Sequence, residues 1–142
     1  MMLEEKSAGE VDLIIPMLQD IEITATKTAS AVAEYMRFDS EKIDELNQAL
    51  IEACINSFEH GKSNDNKLYI KFIMQSNELT VIIKDKGKGF DMTKVDEKPD
   101  IKNKLKSSYK RGWGLMLIKN LMDKVDIQSS PQGTILTMTK VR

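Results

Sequence analysis

Three groups of residues stand at spacings that chemistry uses. Glu52, Asn56 and His60 recur at every fourth position, so on a helix turning about 100° per residue they share one face. The small residues Ala49 and Ala53 beside them leave room for something to approach. Taken alone, a carboxylate and an amide one turn apart are an ordinary polar flank of an amphipathic helix. The second group, Asp85-Lys86-Gly87-Lys88-Gly89-Phe90, puts a carboxylate at the end of an apolar run and glycines after it. Glycine permits positive φ and close approach of a ligand to the backbone, and the aspartate can accept a hydrogen bond from an exocyclic amine. By itself this pattern also describes a tight turn. The third group is Lys110-Arg111-Gly112-Trp113-Gly114-Leu115. Backbone N–H groups at a helix start, with glycines and cationic side chains beside them, suit phosphate; the same residues also describe a glycine-rich helix start with Trp113 packed inside.

Elements with recognisable periodicity carry these groups. Residues 11–18, VDLIIPML, read as an edge strand, because Pro16 lacks a ladder donor and belongs at an edge or a strand end. Small and β-branched residues at three- and four-residue spacing predict a helix over about Asp20 to Met36. Asp39 or Ser40 caps a second helix with the apolar stripe Ile43, Leu46, Leu50, Cys54 and Phe58, and Gly61 is placed to stop it. KLYIKFIM (67–74) and LTVIIKD (79–85) alternate as the strands of an antiparallel hairpin. Gly112 and Gly114 lead into a third helix, and VDIQSS, a Pro131-Gln132-Gly133 turn and TILTMTKV form a second hairpin.

Between the hairpin and the third helix lie residues 91–111, with seven basic and four acidic side chains and little periodicity; they read as a basic, flexible lid. The order β-α-α-β-β-loop-α-β-β predicts an α+β fold, a two-layer α/β sandwich with three helices on one face of a mixed, mostly antiparallel sheet. Residues 1–142 form one domain in this reading, with the lid at about 91–111.

Composition narrows the function classes. The 142 residues are 41% hydrophobic and 30% charged, enough for one domain with a core and too few for two. A net charge of −1 provides no global field toward nucleic acid or anionic lipid. Tyr35, Tyr69, Tyr109 and Trp113 form no stacking stripe for single strands. The lone cysteine, Cys54, excludes an internal disulfide, and with the lone histidine, His60, leaves few ways to build a zinc site. Cys54 and the nine methionines read as core filler, and no stretch approaches the ~20 apolar residues of a membrane span. A cytoplasmic protein is expected.

Order and spacing together say more than any one group. Glu52-x-x-x-Asn56, Asp85-x-Gly87-x-Gly89, a long lid, Gly112-x-Gly114 and a closing Gly133-Thr134 resemble the GHKL superfamily of ATP-binding domains, the Bergerat fold. The G-x-x-x-x-G-K-[ST] and kinase G-x-G-x-x-G loops are both absent from the sequence. Within the superfamily the chain is most similar to the anti-sigma-factor serine/threonine kinases of stress and sporulation type. LNQALIEACINSFEHG, DKGKGFD and GWGLMLIKNLMDKVDIQ followed by GTILTMTK carry the resemblance, which covers nearly the whole chain.

The resemblance implies a site for ATP and Mg²⁺. Asn56 becomes the metal ligand and Glu52 the general base, while Asp85 holds the adenine amino group. Gly87 and Gly89 make room for the base, Gly112 and Gly114 cradle phosphates, Lys110 or Arg111 reaches the γ-phosphate, and Thr134 supports the adenine pocket. His60 falls at a family position at the helix end, with a structural role. The implied partners are a sigma factor, a small anti-sigma-factor antagonist that is phosphorylated, and a second copy of the chain, without direct nucleic acid or membrane contact. Two other classes stay open from the sequence: a nucleotide-gated binding protein without phosphotransfer, and a detached histidine-kinase catalytic domain. The second lacks a separate helical element carrying a phosphoacceptor histidine.

Overall fold

The computed structural model describes residues 9–60, 63–87 and 109–142. The chain runs β1 (Gly9–Pro16), α1 (Glu22–Tyr35), α2 (Ser40–His60), β2 (Lys67–Met74), β3 (Glu78–Asp85), α3 (Tyr109–Leu121), β4 (Lys124–Ser130) and β5 (Gly133–Val141). Alternating apolar residues in the strands dictate a sheet with one buried face. The five strands lie in the order β1-β2-β3-β5-β4. All four ladders are antiparallel, so the sheet expected to be mixed and mostly antiparallel is antiparallel throughout. β2–β3 and β4–β5 are hairpins, the helix pair α1–α2 links β1 to β2, and α3 crosses over from β3 to β4, which run in the same direction but have β5 inserted between them, so no neighbouring pair is parallel.

Register sorts the inner face into rows. Leu13, Ile70, Ile83, Leu136 and Ile127 stand side by side across the strands, and Val11, Phe72, Val81, Met138 and Val125 form the next row. These rows meet Ala25, Ala29, Val32 and Ala33 of α1, Leu46, Ala49, Leu50, Ala53 and Cys54 of α2, and Ile118 of α3 in one core. Burying a side chain such as Phe72 or Leu50 contributes about 1.5–3 kcal/mol each. The rows flanking the apolar ones are polar in part: Asp85 pairs with Thr134 at one end of the sheet, and Leu79 with Lys140 at the other.

Helix ends follow local chemistry. Asp39 is the N-cap of α2, its Oδ1 accepting from the Lys42 N–H at 2.9 Å, and Ser40 is the first helical residue. α1 closes with Arg37 at φ 65° and a bond from the Phe38 N–H to the Ala33 carbonyl at 3.0 Å, a left-handed cap made without glycine. β1 begins and ends two residues before the apolar run at 11–18, at Gly9 and Pro16. α3 starts at Tyr109, so it takes in the last three residues of the expected lid and both glycines that were expected ahead of it. The rest of the lid, Gly61 and Gly89 lie outside the described residues. Among the described residues no helix is long and apolar enough to cross a membrane.

Leu50 is fully buried where α2 meets the sheet. Leu50→Ala is expected to cost about 2–5 kcal/mol, read from urea unfolding as a lower midpoint at unchanged slope. A loss under about 1 kcal/mol would place Leu50 outside the cooperative core.

Candidate functional site

Asp85 ends β3 on the helix-facing side, in the row that continues the core. It is 3% exposed, and its Oδ1 accepts from the Gly87 N–H at 3.0 Å and from the Thr134 N–H at 3.4 Å. Both bonds fall on one oxygen, which leaves Oδ2 as an acceptor toward a ligand. Desolvation pushes the Asp85 carboxyl above the ordinary carboxylate range, against the two N–H groups that favour its charged form. Gly133 makes this closeness possible. At φ +141° a Cβ there would lie 2.0 Å from the Asp85 carbonyl oxygen, so β5 can begin against the end of β3 only with glycine.

The segment following Asp85 is tethered from behind. The Asn64 N–H donates to the Lys86 carbonyl at 3.1 Å. The Lys86 ammonium lies 4.7 Å from the Tyr69 ring centroid and 3.9 Å from Asp65 Oδ2. Asp65 also accepts from the Tyr69 hydroxyl and from Ser63. Those bonds, with the Tyr69 hydroxyl first, hold the Asp65 carboxyl down at about 2.

A second group forms between α2 and α3. Buried Gly114, in the second turn of α3, faces Glu52 and Asn56: a Cβ added to it would stand 3.0 Å from Glu52 Oε2 and from Asn56 Nδ2, and 3.2 Å from Asn56 Oδ1. Asn56 Oδ1 is buried and has no hydrogen-bond partner among the described residues. A buried amide oxygen left so costs on the order of 1–3 kcal/mol unless something fills the gap. Glu22 Oε2 and Asn47 Oδ1 share that condition, but Glu22 belongs to α1 and Asn47 bonds Ser30 of α1. Asn56 alone of the three stands beside a glycine and a carboxylate. An amide oxygen next to a carboxylate, with no side chain opposite, is an oxygen-only donor set of the kind hard cations take.

The sequence candidates thus fall into two groups, Asp85 with Gly87 and Thr134, and Glu52 with Asn56 and Gly114. Lys110, Arg111 and Gly112 lie on the first turn of α3. Amides free for an anion precede Gly112, whereas the Gly114 amide is committed within the helix; what Gly114 brings to Glu52 and Asn56 is the absence of a side chain. Ala49 and Ala53, expected to leave open room beside Glu52 and Asn56, are buried in the core. Sequence reasoning passed over the Asp65–Tyr69–Lys86 tether and the steric demand at Gly133. The Gly133-Thr134 pair at a strand start was the available signal for the latter.

The chain matches the histidine kinase-like ATPase domain family over residues 18–140. It is similar to the serine-protein kinase RsbW of Bacillus pumilus, at 33% identity over 80% of this chain and 74% of that protein. The anti-sigma F factor of Oceanobacillus iheyensis is 29% identical over 93% of this chain and 92% of that protein. Among solved structures, the RsbU and RsbW domains of a Mycobacterium tuberculosis protein share its fold with a TM-score of 0.69 at 15% identity, covering 94% of this chain and 32% of that one.

Gly133→Ala isolates the closeness of β5 to Asp85. The substitution is expected to destabilise by at least about 1–3 kcal/mol for its backbone conformation alone, measured by chemical denaturation. A change within about 0.5 kcal/mol, the range of an ordinary surface substitution, would show that the strand end relaxes freely.

Proposed function

This chain belongs to the histidine kinase-like ATPase domain family, in its RsbW-type branch, and from that premise we propose that it is an ATP-dependent serine/threonine protein kinase that also acts as an anti-sigma factor. One observation carries the reading: Gly114 of α3, having no side chain, comes directly against the carboxylate of Glu52 and the buried, unpartnered oxygen of Asn56, where a Cβ would stand 3.0–3.2 Å from them. The adenine end is supported separately by Asp85, whose Oδ2 accepts from the exocyclic amine while Oδ1 stays anchored to Gly87 and Thr134. A base without an amine at that position leaves a buried carboxylate oxygen unpaired, which is how the site discriminates.

Asn56 holds Mg²⁺ in this reading, since its free Oδ1 is the donor such an ion requires. When bound, the ion neutralises charge on the phosphates. Glu52 orients the attacking hydroxyl of a partner's serine or threonine and accepts its proton. Lys110 or Arg111, on the first turn of α3, supplies positive charge over the transferring group, and the amides there cradle phosphate. Gly87 and Gly89 leave space for the adenine, and Thr134 closes the pocket from β5. The lid at about 91–111, shortened by the start of α3 at Tyr109, belongs to the same single domain of residues 1–142.

RsbW-type relatives carry the names serine-protein kinase and anti-sigma factor. By that likeness this chain sequesters a sigma factor in the cytoplasm and phosphorylates a small antagonist protein, contacting neither nucleic acid nor membrane. Ile14 and Ile23, each 58% exposed on β1 and α1, favour that strand and helix as the surface shared with a second copy. Nucleotide state then sets which partner the domain holds.

Glu52→Gln separates a kinase from a nucleotide-gated binding protein. It removes the proton acceptor while keeping the shape beside Gly114. Transfer of label from γ-labelled ATP to a serine or threonine of a co-purifying small protein is expected to fall about a hundredfold or more, with ATP affinity retained. Undiminished transfer removes Glu52 from the chemistry; absence of transfer in the unaltered protein, with ATP bound, establishes the binding protein.

A further inference from the structure

Lys140 is a charged residue that the proposed chemistry does not use, yet it is only 6% exposed. It sits on the inner face of β5, opposite Leu79 of β3. Its ammonium lies 3.0 Å from Glu45 Oε1 of α2 and donates to the carbonyl of Leu121, the last residue of α3. That carbonyl is one of the four at a helix C-terminus without an intrahelical donor, and a cation there also suits the helix dipole. One side chain therefore joins the sheet to both helices of the Glu52–Gly114 contact.

Spacing gives the junction its meaning. Glu45 and Glu52 are seven residues apart on α2, as are Gly114 and Leu121 on α3; two helical turns cover about 10 Å in each case. The helices are antiparallel, tied through Lys140 at Glu45 and Leu121, and touching directly at Glu52, Asn56 and Gly114. The buried contacts of α3 between these points, Leu115 and Ile118, are apolar and carry no directional bond. Gly114 has no side chain to interlock. A directional contact adds to the axial register that the packing of Leu115 and Ile118 sets, and a slip of one residue would move Gly114 by about 1.5 Å, enough to spoil a catalytic geometry.

We infer that Lys140 and Glu45 form a register clamp, a pair of positioning residues that fix how far α3 reaches along α2 and hence where Gly114 meets Glu52 and Asn56. This rests on the kinase reading of that contact. The clamp acts on the metal and phosphate end of the site alone. Asp85 and Thr134 are held by the β3–β5 ladder, and Thr134 lies six residues from Lys140 along β5, about 20 Å. The loop from α3 into β4 adds support at the same corner: the Asp123 N–H donates to the Thr139 carbonyl at 2.9 Å, and the Val141 N–H to Asp123 Oδ2 at 2.7 Å.

Two variants test the clamp in the full chain. Lys140→Met keeps the length of the side chain and removes its charge, leaving Glu45, whose side chain is 38% exposed, to be hydrated. Lys140→Arg restores a cation. Affinity for ADP in the presence of EDTA, which reads the adenine end, is expected to stay within about twofold in both variants. Affinity for Mg-ATP and single-turnover consumption of γ-labelled ATP are expected to fall at least about tenfold in Lys140→Met and to recover substantially in Lys140→Arg. Should Lys140→Met lose its cooperative thermal transition, Glu45→Gln, which leaves the Leu121 contact in place, carries the same measurements. Equal loss of ADP and Mg-ATP binding, or no loss of either, overturns the clamp. A wild-type protein showing neither Mg²⁺-dependent affinity nor ATP consumption overturns the kinase reading instead, so the two failures are told apart.

Discussion

The ladder between β3 and β5 sets Asp85 opposite Thr134 at one end of the sheet and Leu79 opposite Lys140 at the other, with two apolar rows between. Because side chains alternate faces along a strand, a slip of one residue would turn all four rows to the open side. The same register that builds the core therefore also aims the Asp85 carboxylate and the buried lysine toward the helices. Gly133 is what lets the ladder run to its end, since any Cβ would strike the Asp85 carbonyl oxygen.

Several polar groups sit where folding alone would not put them. Asp85 is desolvated and held above the ordinary carboxylate range, and Asn56 Oδ1 is buried without a partner. Each weakens the free protein and gives a ligand something to satisfy. Cys54 is the contrasting case: burial pushes its thiol up to about 12, and it behaves as a small apolar side chain within the core. Stability given up at a site and retained in the surrounding core is the usual compromise in a binding protein.

Much of this was legible in the residues. Alternation in KLYIKFIM and LTVIIKD located the central hairpin, with Glu78 joining the second strand only in the structure, and the four-residue spacing of Glu52 and Asn56 placed them together on α2. Helix limits were less legible around Gly112 and Gly114, because glycine weighs against helix while the packing of α3 on α2 outweighs that preference. What periodicity does not encode is contact across elements. The Asp65–Tyr69–Lys86 tether joins a loop, a strand and the segment after another strand, and the approach of Gly114 to Asn56 depends on how two helices cross. In local sequence Asp65 and Lys140 look like ordinary surface charges.

The most direct test of the account is a crystal structure of the full chain with Mg²⁺ and a non-hydrolysable ATP analogue. The account predicts the adenine amino group on Asp85 Oδ2 and Asn56 Oδ1 ligating the metal at about 2.0–2.1 Å, with Gly114 still facing Glu52. A nucleotide seated away from Asp85, or a metal held without Asn56, would contradict it.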